Sequence, residues 1–85
     1  MKTYTIEVTQ EDIDKGNRLA PCSCPVALAI SRATNKCAIV SSQDVSFQAY
    51  GGGFVYFDAI VRDFINKFDG RQPVQPFKFD LDIDV

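Results

Sequence analysis

The stretch Cys22-Ser23-Cys24-Pro25-Val26-Ala27-Leu28-Ala29-Ile30 is a thiol-bearing turn that opens directly into an almost wholly apolar helix. Pro25 suits the first helical position, where its missing N–H costs nothing, and Cys24 or Ser23 stands as the cap. Val26, Ala29, Ile30 and Ala33 make one face, and Ala27 and Leu28 carry apolar surface further round the cylinder. A helix with so little polar surface, running to about residue 34, reads as mostly buried. Its alanines permit close approach to a sheet, while Ser31, Arg32 and Lys36 mark the wet side and the C-terminal end.

The segments on either side supply that sheet. On the N-terminal side, residues 3–8 alternate, with Tyr4, Ile6 and Val8 on one face and Thr3, Thr5 and Glu7 on the other, as a half-buried strand does. Thr9 then caps a short helix over Gln10–Lys15, with Asp12 as the acid of a capping box, and Gly16 is placed to end it in a left-handed conformation. On the C-terminal side, Cys37-Ala38-Ile39-Val40 is β-prone and Ser41-Ser42-Gln43-Asp44 turns the chain. Val45, Phe47 and Ala49 alternate with Ser46, Gln48 and Tyr50, which predicts a hairpin. After the Gly51-Gly52-Gly53 break, Phe54-Val55-Tyr56-Phe57 is a short strand or a segment pressed onto the core.

Asp58 is a good N-cap for a helix over residues 59–68, whose Ile60, Val61, Phe64, Ile65 and Phe68 form an amphipathic stripe that Asp69-Gly70 closes. Pro73 and Pro76 bracket an extended connector. Phe77, Phe79, Leu81, Ile83 and Val85 then alternate with Lys78, Asp80, Asp82 and Asp84, and that pattern forces a final half-buried strand. The order β-α-α-β-β-α-β predicts one α+β domain over residues 1–85. Its expected form is a three- to four-stranded mixed sheet with the two main helices packed on one face, for which a split βαβ, ferredoxin-like topology is one solution.

Composition narrows the function. A chain of 85 residues buries about 60–65% of its unfolded surface and leaves no room for a second lobe, so a partner protein is a natural suspect. The formal net charge is −2 and the nine Lys and Arg are scattered singly, which argues against direct nucleic-acid binding. Three cysteines is an odd number. With no signal peptide and no apolar run near the roughly 18 residues of a membrane span, the expectation is a cytoplasmic protein with reduced thiols, off the membrane. Histidine is absent, so neither a Ser-His nor a Cys-His mechanism can be assembled within one chain. The expectation is a non-enzymatic protein with no catalytic residues and no cofactor.

Cys22, Cys24 and Cys37 form the one thiol constellation. A helix start favours thiolate at Cys24, and the set is a candidate for zinc, yet one C-x-C and a third cysteine fall short of the four ligands that structural zinc takes. Capping and packing are the plainer roles. The three glycines lack the Lys-Ser/Thr of a phosphate loop. Tyr50, Phe54 and Tyr56 supply more aromatic surface than a small core needs and are candidate contact anchors. The loop at residues 17–22, with Arg18, is a further candidate. Asp80, Asp82 and Asp84 line one strand face, either as a solvated edge or as an acidic strip offered to a basic partner.

The runs Thr9-Gln10-Glu11-Asp12-Ile13-Asp14-Lys15-Gly16 (T-x-E-x-I-x-x-G) and Cys24-Pro25-Val26-Ala27-Leu28-Ala29, followed by Phe64-Ile65 to Asp69 and by Pro73-Val74-Gln75-Pro76-Phe77-Lys78-Phe79, resemble a family of small bacteriophage, prophage and bacterial proteins. The shared residues cap, pack and turn, so the resemblance implies a shared fold rather than a shared activity. Relatives often carry C-x-x-C-P where this chain has Cys22-Ser23-Cys24-Pro25. A phage origin implies an accessory protein that binds a host protein in the host cytoplasm and inhibits it, a defence component included. Two alternatives remain: a small thiol- or metal-binding module built on Cys22, Cys24 and Cys37, and a homo-oligomer that binds a nucleotide-like small ligand between chains.

Overall fold

In a computed structural model that describes residues 2–47 and 54–83, the strands lying furthest apart in the chain run side by side. Strand β1 (Lys2–Val8) pairs antiparallel with β5 (Phe77–Ile83) from Lys2 opposite Ile83 to Val8 opposite Phe77. Period-two alternation sends Ile6, Val8, Leu81 and Ile83 into the core and leaves Thr3, Thr5, Glu7, Lys78, Asp80 and Asp82 exposed on the opposite face.

Between these strands the chain first makes α1 (Gln10–Lys15), started by the expected capping box. The Thr9 hydroxyl accepts from the Asp12 N–H at 3.2 Å, and the Asp12 carboxylate accepts from the Thr9 N–H at 2.9 Å. Gly16 is not left-handed as expected but extended, at φ −69° and ψ 151°. It is needed for space rather than for rotation. A Cβ there would stand 2.6 Å from Pro25 Cδ and 2.8 Å from the Asp12 carbonyl, so only glycine lets the end of α1 meet the next helix.

That next helix, α2 (Pro25–Thr34), is capped by Cys24, whose Sγ accepts from the Ala27 N–H at 3.4 Å, and it ends at a left-handed Asn35 with φ 58°. Pro25, Val26, Ala27, Ala29 and Ile30 are buried, as an apolar helix requires. Ala33 is exposed rather than buried, because the last turn presents Thr34 to the core instead. The Thr34 hydroxyl is satisfied there by donating to the Ile30 carbonyl at 2.8 Å. Arg32 fastens the helix to its neighbours. Its guanidinium donates to both oxygens of the buried Asp12 carboxylate at 2.7 and 2.8 Å and to the Glu7 carbonyl at 2.9 Å.

The predicted hairpin is β2 (Ala38–Val40) and β3 (Asp44–Phe47), to which β4 (Val55–Tyr56) adds. These strands form a second, three-stranded sheet in the order β2-β3-β4, antiparallel throughout, rather than joining β1 and β5 in one mixed sheet. The reason lies in hydrogen bonding at the edge of β2. Its Ala38 N–H donates to Ser31 Oγ at 3.0 Å and its Val40 N–H to the Pro21 carbonyl at 2.8 Å, so a helix side chain and the thiol loop hold the positions that another strand would need. The α+β class stands, with the strands divided between two sheets.

Helix α3 (Ala59–Asp69) follows β4 and buries Val61, Phe64 and Ile65. Its Phe64 ring lies 4.7 Å from that of Phe77 on β5, and Phe57 meets Phe79 edge-on at 6.1 Å. Aromatic contacts of this kind join the α3 region to the longer sheet.

Candidate interaction surface

Short strand β4 sorts its side chains by the pleat. Val55 is half-buried and the following Phe57 is buried, whereas Phe54 and Tyr56 point the other way and are 65% and 73% exposed. The register places Tyr56 opposite Asp44, and the Phe57 N–H donates to the Gln43 carbonyl at 2.9 Å, which fixes the segment against the β2–β3 turn. One turn into α3, Ile60 is 59% exposed. Three large apolar side chains thus lie in water within a seven-residue segment, whereas single exposed apolar residues are ordinary.

Ile60 also borders two grooves. One, of about 760 Å³, runs between α3 and the β2–β3 turn and is lined by Ser42, Gln43, Ala59, Ile60, Arg62, Asp63 and Asn66. The other, of about 410 Å³, lies between α3 and the connector to β5, with Phe64, Val74 and Phe77 among its walls. Asp63 and Lys67 pair at 3.1 Å along the same exposed face of α3. The result is an apolar centre with a polar margin, the anatomy of a protein-binding patch.

Of the residues expected to contact a partner, Phe54 and Tyr56 are brought together here, while Tyr50 and Asp84 lie outside the described residues. Arg18 is exposed in a separate loop, beside a Leu19 that is 80% exposed at φ 56° and whose N–H donates to the Asp69 carboxylate at 3.1 Å. Asp80 and Asp82 sit on the outer face of the β1–β5 sheet, away from that segment's own sheet. There they face threonines in register: Thr5 Oγ1 donates to Asp80 at 3.1 Å, and Thr3 Oγ1 donates to Asp82. Lys78 pairs with Glu7 at 3.5 Å on the same face. The acidic strip is therefore a cross-strand ladder of matched polar pairs.

Spacing places Ile60 in the amphipathic stripe of α3, yet the structure leaves it exposed. At about 100° per residue it lies roughly 90° from the centre of the arc set by Val61, Phe64, Ile65 and Phe68, which is where a helix leaves its core. That angular offset is the signal that marks it.

The thiols do not assemble. Cys22 and Cys37 are exposed and Cys24 is buried. Among the described residues, no group of three or more Cys, Asp or Glu side chains is placed to hold a metal ion. Burial pushes the Cys24 thiol up from its ordinary value, against the opposing effect of the Ala27 and Val26 amides. The helix start therefore does not make Cys24 a thiolate, and its sulfur serves as a cap. Among the described residues, no helix is long and apolar enough to cross a membrane. Comparison with protein families, curated proteins and solved structures finds no match to this chain.

Proposed function

We propose that this chain works without catalysis, by binding another protein through the surface of Phe54, Tyr56 and Ile60. The observation that carries this reading is the exposure of those three side chains on one short segment, where burial against a partner would recover the hydrophobic stabilisation that the fold leaves unused. Aromatic anchors beside polar grooves supply the contacts of highest energy density in protein interfaces. The absence of histidine from the sequence supports a binding role over acid–base chemistry.

The finer version follows from the resemblance to small phage and prophage proteins: the partner is a host protein in the host cytoplasm, a defence component in the sharpest form, and binding inhibits it. The test is a comparison of cross-linked complexes formed in host lysate by the wild-type chain and by a Phe54→Ala/Tyr56→Ala/Ile60→Ala variant. A defined partner retained by the first and lost by the folded second is the expected result. The same partner recovered equally by both would remove this surface from consideration.

A further inference from the structure

Between α3 and β5 the chain keeps most of its side chains in water. Gln72, Pro73, Gln75, Pro76 and Lys78 are exposed, whereas Val74 and Phe77 are half-buried and pack against the core. Phe77 and Lys78 already belong to β5, so the connector proper is residues 72–76, which enter no helix or strand. Local chemistry favours polyproline II geometry there, because each proline fixes its own φ and pushes the glutamine before it into the extended region. Among the described residues, positions 73–76 enter no backbone hydrogen bond of a turn, loop or cap, as expected of a solvated polyproline II segment.

The connector is a ridge with open space on both sides. Pro76 and Phe77 line the groove of about 410 Å³ shared with α3 and also one of about 400 Å³ beside the end of β1 and the start of α1. Val74, and Phe77 at the start of β5, anchor the segment to the protein. Gln72, Pro73, Gln75 and Pro76 are presented outward, and Lys78 follows on the outer face of β5. A cation marks each end of the ridge. The Arg71 side chain makes no hydrogen bond or ion pair among the described residues, and Lys78 reaches Glu7 at 3.5 Å while staying largely exposed.

We propose that Pro73-Val74-Gln75-Pro76-Phe77-Lys78 is a docking ridge for a partner module with an aromatic-lined polyproline II groove and an acidic rim, the chemistry of an SH3-type domain. The two prolines fill the aromatic groove, and Arg71 and Lys78 meet the carboxylates at its ends. Anchoring through Val74 and Phe77 holds the ligand in its bound shape beforehand, which lowers the entropy lost on docking. The ridge shares its α3-side groove with Ile60 but uses neither Phe54 nor Tyr56, so substitution of those two residues tells it apart from that surface.

The probe is a set of purified SH3-type domains with acidic loops, titrated into the isotope-labelled full chain and followed by NMR. Chemical-shift changes centred on residues 71–78 are expected. Pro73→Ala/Pro76→Ala and, separately, Lys78→Glu each weaken binding about tenfold or more, while Phe54→Ala/Tyr56→Ala leaves it unchanged. If the proline variant loses its native spectrum, Lys78→Glu carries the comparison. No shift with any domain of the set, or binding that survives these substitutions in folded protein, overturns the proposal.

Discussion

Helix α2 buries six of its ten residues and α3 buries three of its eleven, although both are preceded by residues suited to capping. In α2 the N-terminal cap is made, Gly16 admits α1 against Pro25, and Arg32 ties the far end to Asp12 and Glu7. In α3 the Asp58 side chain makes no cap hydrogen bond, and Ile60 stands exposed between open grooves. The contrast separates two uses of apolar surface in one small chain. Around α2 it is spent inward on the fold, and at the start of α3 part of it is left facing outward.

The sharpest way to break this contrast is to truncate one isoleucine in each helix. Ile30→Ala removes a fully buried side chain and is expected to destabilise the protein by about 3 kcal/mol in denaturant unfolding, whereas Ile60→Ala should stay within about 0.5 kcal/mol of wild type. Equal losses would mean that α3 is as embedded as α2.

Next comes the ion pair on the α2 side. Asp12→Ala leaves the Arg32 guanidinium and the Thr9 amide without their acceptor, and a loss of about 2 kcal/mol is expected, moderated by the solvent that reaches Arg32. Burial alone would raise the Asp12 carboxyl, but hydrogen bonds and charge from Arg32, with the Thr9 amide and hydroxyl, outweigh it and hold the group below its ordinary 3.8. Stability from this carboxylate is thus present above the ordinary aspartate value and is lost as the pH falls through the lowered one. Acid titration of unfolding should show the gap between wild type and Asp12→Ala closing in that window.

Gly16→Ala probes the approach of α1 to α2. The added methyl meets Pro25 and the Asp12 carbonyl at distances that real contacts do not sustain, so a lowering of about 1–2 kcal/mol is expected by thermal unfolding. The smallest effects compare two caps. Thr9→Ala removes a capping box and should lose about 1 kcal/mol, while Asp58→Ala at α3, with no cap hydrogen bond to lose, should change stability by less than about 0.5 kcal/mol.

Alternation and capping made most of the elements readable in advance. The spacing of residues 3–8 and 77–83 announces two half-buried strands, and Thr9 with Asp12, and Cys24 with Pro25, mark two helix starts where they occur. The division into two sheets was not readable, because it depends on which groups satisfy the Ala38 and Val40 amides, and Ser31 and Pro21 carry no sign of that role. Gly16 was recognised as special for the wrong reason, since a close approach leaves no trace in a single sequence. At the candidate surface, aromatic excess points to Phe54 and Tyr56. Ile60 escaped because hydrophobicity alone does not tell the edge of a helix stripe from its middle.

The pairing of β1 with β5 has a consequence for the order of events in folding. The ladder closes a loop that includes every other element, so the chain must surrender a large conformational freedom before its first hydrogen bond is rewarded. The α1–α2 unit and the β2–β3 hairpin are local and form without that loss. Substitutions along the ladder, such as Leu81→Ala, will therefore accelerate unfolding more than they slow folding, whereas those at the α1–α2 contact will retard folding itself.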